Sequence, residues 1–149
     1  MSTNETMIQS IKNYTKPFID SVNDGTIDIG ELPMNSVELY IEEVPNVEGN
    51  IISEDLEGNS VREYLFSLIV GFQYDEVIKK NIQSSSLFEK FQDWIETQNI
   101  NENFPQLTEG LASSSLKVIT TSFLDYDYKN NDYAKYQMQC QLIYEKEII

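Results

Sequence analysis

Between Ala134 and Leu142 the chain alternates without a break. Ala134, Tyr136, Met138, Cys140, Leu142 and Tyr144 fall on one side, and Lys135, Gln137, Gln139 and Gln141 on the other. A period of two is the mark of a strand with one buried and one polar face. A second run, 61–74, places Tyr64, Phe66, Leu68, Val70 and Phe72 on one face and Leu65 and Ile69 on the other. Both faces of that strand are therefore expected to be at least partly covered, as near the middle of a sheet. Gly71 within it predicts a bulge or a close approach. Two long strands of this kind commit the chain to a sheet, and one wet side commits the sheet to antiparallel pairing.

Helical periodicity flanks these strands. Met7, Ile8, Ile11, Tyr14, Phe18, Ile19 and Val22 build one apolar stripe, interrupted by Pro17, which predicts a kink or a break. Asn23-Asp24-Gly25 is a turn signal. Residues 26–29 and 36–44 read as strands, the second with Val37, Leu39 and Ile41 opposed to Ser36, Glu38 and Glu42. Residues 50–53 read as a short edge strand in a loop-rich stretch punctuated by Pro33, Pro45, Gly49 and Gly58. Val77, Ile78 and Ile82 resume the helical spacing. Ser86 with Glu89 is a capping box before a helix carrying Leu87, Phe88, Phe91, Trp94 and Ile95. The segment 99–115 reads as a connection, and 116–127 with 133–145 as a hairpin turning at 129–132. Residues 1–149 show no internal repeat, no linker and no second domain. The expectation is one α+β domain, a mainly antiparallel sheet flanked by helices.

Composition narrows the functions open to such a domain. The 149 residues carry 25 acids, 10 bases and no histidine, for a formal charge of −15. Without histidine there is no Ser-His-Asp triad, no Cys-His dyad and no imidazole metal ligand. One cysteine, Cys140, rules out an internal disulfide and a multi-cysteine zinc site. The acidic balance opposes nucleic-acid binding, which rests on Lys and Arg neutralising phosphates. No window approaches the roughly 20 apolar residues of a membrane span. The start of the sequence lacks the basic and apolar regions of a signal peptide. A soluble, non-enzymatic domain without a cofactor is expected.

The sharpest local motif runs from Asp20 to Glu31 and approximates a calcium loop. Asp20, Asp24, Asp28 and Glu31 fall at positions 1, 5, 9 and 12 of the twelve-residue template, with Gly25 at position 6. Val22 offers no oxygen at position 3, and Pro33 opposes an exiting helix. The bland alternative is a helix end, a turn and a solvated strand. More broadly, residues 20–63 hold twelve acids and one base, Arg62. The first 75 residues contain fourteen acids and three bases, the remaining 74 eleven and seven. Such a run is a solvated face, or a surface that repels nucleic acid or docks on a basic partner.

Other candidates carry less chemistry. Glu42 and Glu43 are adjacent, so a regular strand sends them to opposite faces, while Asp125 and Asp127 share a face near a turn. Cys140 alternates with the buried set and reads as an inert core thiol. Trp94 lies on a helical stripe with Phe91 and Ile95. Asn4-Glu-Thr6 and Asn13-Tyr-Thr15 match the glycosylation triplet, which matters only after secretion. There is no Gly-rich phosphate loop and no Gly-x-Ser-x-Gly elbow. No catalytic, cofactor or metal residue is assigned.

From about residue 61 the order of aromatic and turn positions forms a familiar pattern. Val61-Arg-Glu-Tyr-Leu-Phe66 leads into the aromatic strand. Leu87-Phe-Glu-Lys-Phe-Gln-Asp-Trp-Ile95 follows, with Gln98-Asn99 and Pro105-Gln-Leu107. Ser122-Phe-Leu-Asp125 and Ala134-Lys-Tyr-Gln-Met-Gln-Cys-Gln-Leu-Ile-Tyr144 complete it. This order, over roughly residues 25–147, resembles a family of small head–tail module proteins from phages and prophages of Gram-positive bacteria, labelled minor capsid protein or tail terminator.

The resemblance implies a structural virion protein of the tail or neck, made in the host bacterial cytoplasm. It implies a sheet flanked by helices and assembly as a hexameric ring. That ring would cap the head-proximal end of the tail tube, stop its polymerisation and meet the connector, neck or sheath. Loops 45–60 and 99–115 and the tip 128–132 are then the expected contacts, and part of the 20–63 tract is expected to line a bore through which DNA slides unbound. Six copies of a −15 subunit would make ring closure salt-sensitive. The alternative is a small acidic, calcium-responsive adaptor that binds one protein partner.

Overall fold

Two strands of fourteen residues form the axis of the molecule. The structure, a computed structural model, describes residues 6–30, 32–46, 49–128 and 133–147, and leaves the side chains of 123–128 undescribed. Strand β3 (Ser60–Gln73) pairs antiparallel with β6 (Tyr133–Lys146) from Ser60↔Lys146 to Gln73↔Tyr133 with no shift of register. Each outer side of this ribbon is shared by two shorter strands. β1 (Val37–Glu43) runs along Phe66–Phe72 of β3, and β2 (Ile51–Glu54) along its start. Across the ribbon, β4 (Leu111–Val118) lies on the Cys140–Lys146 end of β6, and β5 (Phe123–Tyr128) on the Tyr133–Gln137 end. The result is a six-stranded antiparallel sheet and an α+β fold.

Among the described residues three α-helices, α1 (Met7–Asn23), α2 (Glu76–Ser84) and α3 (Leu87–Ile100), accompany the sheet. Their apolar faces enter one cluster with the even-numbered side chains of the ribbon. Ile11, Phe18, Ile82, Phe91 and Ile95 meet Phe66, Leu68, Val70, Met138, Cys140 and Leu142 there. The ring of Phe91 lies 5.0 Å from Phe18, edge to face, and 6.1 Å from Trp94, stacked. The odd-numbered positions Leu65, Ser67 and Ile69 of β3 do not join this cluster. The sheet is thus covered by helices on one face, with a second face carrying Glu38, Tyr40, Glu42, Lys135, Gln137, Gln139 and Gln141.

Several local expectations change against the coordinates. α1 runs unbroken through Pro17, whose neighbours Thr15 and Phe18 are fully buried, so tertiary packing outweighs the missing amide bond. Residues 26–29 are not a strand, because the Asp24 and Asp28 carboxylates accept from Thr26 N (2.8 Å) and Gly30 N (3.0 Å) and hold the chain in successive turns. α3 begins at Leu87 as the spacing predicts, but Ser86 does not cap it with its side chain. Ser86 is drawn instead to the loop that follows α1, its amide donating to Ile29 O at 3.0 Å. The capping box forms at α1, where Thr6 Oγ1 accepts from Gln9 N and Gln9 Oε1 from Thr6 N.

The stretch 99–115 is a connection only as far as Gly110. Its three serines enter β4, with the register shifting between Ser113 and Ser115. Two staples hold this edge: Leu116 N donates to Asn99 Oδ1 (2.9 Å) and Ser113 Oγ to Pro105 O (2.7 Å). The expected C-terminal hairpin is therefore three strands, β4 and β5 both laid on β6. Its tip, 129–132, lies outside the described residues. At Gly71 the register is continuous on both sides, so there is no bulge. A Cβ there would run into the Tyr133 hydroxyl, which crosses β3 to share a hydrogen bond with Tyr40.

Candidate protein-interaction surfaces

The calcium-like loop disperses once folded. Asp20 pairs with Lys16 one helical turn away at 2.5 Å. Asp24 is held below the usual carboxylate range by hydrogen bonds from the side chain and backbone of Thr26. Asp28 is folded onto Gly30 N. Glu31 lies outside the described residues. Among the described residues no three acidic or cysteine side chains gather as a cation site.

The remaining chemical candidates are similarly engaged. Glu42 and Glu43 separate to opposite faces, Glu42 facing Lys135 Nζ at 3.4 Å and Glu43 accepting from the Tyr64 hydroxyl at 2.8 Å. Cys140 is fully buried, and that burial pushes its thiol far above its ordinary range, which leaves it unreactive. Trp94 packs against Tyr14 at 5.2 Å and Phe18 at 5.8 Å and belongs to the core periphery. The side chains of Asp125 and Asp127 are not described.

The acidic tract does not make one surface. Asp20, Asp24 and Asp28 sit at the end of α1, on the helix-covered side. Glu38, Glu42 and Glu63 lie on the other face of the sheet, where Glu63 accepts from Asn46 Nδ2 (2.8 Å) and from Gln141. A third group, Glu54, Asp55 and Glu57, occupies the hairpin that joins β2 to β3. Sequence counting treats these as one run because it cannot see that β1 and β3 turn Glu38, Glu42 and Glu63 away from α1.

That hairpin is the most unusual surface feature. All four residues of β2 are exposed. Ile51 and Ile52 are about half exposed, and Leu56 at the tip is as exposed as in an extended peptide, at 107%. Half of the large apolar side chains exposed among the described residues therefore sit on one arm. The turn is nevertheless well defined. Asp55 N donates to Asn59 O (2.9 Å), and Asp55 Oδ1 accepts from Glu57 N and Asn59 N, each at 2.9 Å. Gly58, at φ +92°, supplies the left-handed step. The turn thus holds Leu56 in water as a formed feature.

The charge of Asp55 is part of this lock. Desolvation raises its pKa, but hydrogen bonds from Asn59, Glu57 and Gly58 together bring it below the ordinary value. A lowered folded pKa means that the stabilisation is present above the unfolded value, about 3.9, and is lost as pH falls through the folded one. The amide signals of Glu57 and Asn59 are expected to titrate together in NMR with a midpoint below about 3.9. A midpoint at or above that value would show that the carboxylate does not hold the turn.

No protein-family model matches this chain, and comparison with curated proteins gives no match. Among the described residues no helix is long and apolar enough to cross a membrane.

Proposed function

We propose that this protein is a tail terminator, a virion protein of the tail or neck that assembles as a ring, closes the head-proximal end of a tail tube and stops its polymerisation. The observation that carries this reading is the β2–β3 arm. A hydrogen-bonded hairpin holding Ile51, Ile52 and Leu56 exposed marks a surface for protein contact, since the domain itself leaves these three apolar side chains of one arm largely uncovered. It coincides with loop 45–60, one of the contacts that the family pattern implies. The α+β sheet with a helix layer is the architecture that the pattern implies as well. In this reading the partners are further copies of the chain, the tail tube protein, and the connector, neck or sheath. DNA passes through without specific contacts, repelled by Glu38, Glu42 and Glu63 on the helix-free face if that face lines the bore. Electron microscopy of tail tubes assembled with and without the protein tests this. Tubes of controlled length bearing a terminal ring are expected, and a variant lacking residues 46–58 is expected to leave tubes open and overlong. Tube lengths indifferent to the full-length protein would sink the proposal.

A further inference from the structure

We infer that the β2–β3 arm of one copy docks in a groove between α2, the start of α3 and β6 of the next copy. The inference rests on the ring proposed above and names the contact that would close it. The groove has a volume of about 550 Å3, with Ile82, Phe88 and Tyr136 at its base and Lys79, Gln83 and Glu89 around its rim. Gln83 Nε2 donates to the Tyr136 hydroxyl at 2.9 Å and ties the α2 wall to the sheet. The apolar base suits one aliphatic side chain on a narrow support, and among the described residues Leu56 is the most exposed aliphatic side chain.

Charge selects the occupant. Copies of a −15 chain repel one another overall, so self-contact needs a place where the signs offset. The arm tip is acidic, with Glu54, Asp55 and Glu57. Lys79 lines the groove, and Lys80, exposed on the next position of α2, makes with it the one pair of adjacent bases in the sequence. Glu89 stands on the α3 wall and orients the docking, because the acids of the arm must face α2. The tip is already locked by hydrogen bonds, so little ordering is lost on binding.

Position makes the contact head to tail. The arm leaves the sheet at Ser60, whereas Tyr136 of the groove pairs with Val70. Ten residues of strand separate them, about 30 Å, and both belong to one continuous sheet. An arm therefore cannot reach its own groove. Two unlike patches on one subunit give a heterologous interface, which closes into a ring when the rotation allows.

The test is covalent trapping in the full-length chain. Leu56→Cys and Gln83→Cys are made singly and together and oxidised, with Cys140 left in place because its buried thiol does not react. The double variant is expected to give a ladder of covalent species ending in a closed ring, and each single variant to stop at dimers. Identical products from single and double variants would overturn the inference. Adding Lys79→Glu and Lys80→Glu is expected to lower ladder yield about tenfold, and Glu57→Lys to restore part of it, with thermal melting confirming that each variant folds. An unchanged yield also counts against the contact. A ladder formed by a protein that leaves tube length unaltered would refute the terminator reading and keep the arm contact. Capped tubes without a ladder would do the reverse.

Discussion

Replacing Phe91 with alanine is expected to lower the free energy of unfolding by about 3–5 kcal/mol. The side chain is fully buried in the cluster that helices and sheet share. On the helix side it packs edge to face on Phe18 and stacks on Trp94, which in turn lies against Tyr14. Tyr14 anchors this group, its hydroxyl donating to Asn103 O at 2.6 Å. Removing the ring leaves a hole that three helix-borne aromatics cannot fill without giving up ring contacts worth about 0.5–1.5 kcal/mol per pair. A domain of this size has a total stability of about 5–15 kcal/mol, so the variant should fold but sit near its limit. The melting temperature should fall by about 10 °C, at roughly 2–4 °C per kcal/mol. Urea unfolding monitored by circular dichroism measures the loss, with an unchanged slope showing that the unfolded state is the same. A loss under about 1.5 kcal/mol would mean that the helix layer collapses freely onto the sheet and is not rigidly packed.

How much of this was legible in the sequence depended on whether a signal was periodic. β3 and β6 could be read to within a residue or two, because alternation between apolar and polar side chains directly reports a sheet face. The stripe from Ile11 to Val22 was equally plain, although Pro17 suggested a break that the burial of Thr15 and Phe18 prevents. What failed was non-periodic. Ser113, Ser114 and Ser115 looked like a loop, because their place in β4 depends on Asn99 and Pro105, which meet the strand only after folding. Ser86 looked like a cap because nothing local shows that Ile29 O would claim its amide. The capping box at Thr6 and Gln9 obeys the same spacing rule, and there the side chains do form it. For the surfaces, counting acids found the tract but not its division among the end of α1, the helix-free face and the arm. Leu56 carries no motif at all. Its exposure follows from a five-residue turn closed by Asp55 and Asn59, a three-dimensional fact written only as an Asp, a Gly and an Asn in close succession.

The division between the two sheet faces yields the second large effect, in which neighbouring residues of one strand should respond very differently. Leu68 and Ile69 are both almost wholly buried, at 0% and 1% exposure. By burial alone their truncations should cost alike. Leu68, however, belongs to the helix-covered core, opposite Ile41 on β1 and Met138 on β6. Ile69 faces the other way, opposite Tyr40 and Gln137, and is covered by side chains of the sheet's own helix-free surface. There Ser67 Oγ donates to Gln137 Oε1 at 2.8 Å, and Gln139 Nε2 donates to the same oxygen at 3.3 Å. Leu68→Ala should therefore cost about 3–5 kcal/mol, transfer plus a cavity that sheet and helices cannot close. Ile69→Ala loses the same transfer free energy, but its strand neighbours are polar: Gln137, itself buried, and half-buried Tyr40. Tyr40 and Gln137 can settle inwards, or water can enter beside groups able to hydrogen-bond it, so the cavity penalty largely disappears and about 1–2 kcal/mol remains. Parallel urea titrations of the two variants measure the difference. Equal losses would show that the second face is as tightly packed as the core, which calls for a rigid cover over Ile69 beyond the Ser67–Gln137 and Tyr40–Tyr133 hydrogen bonds.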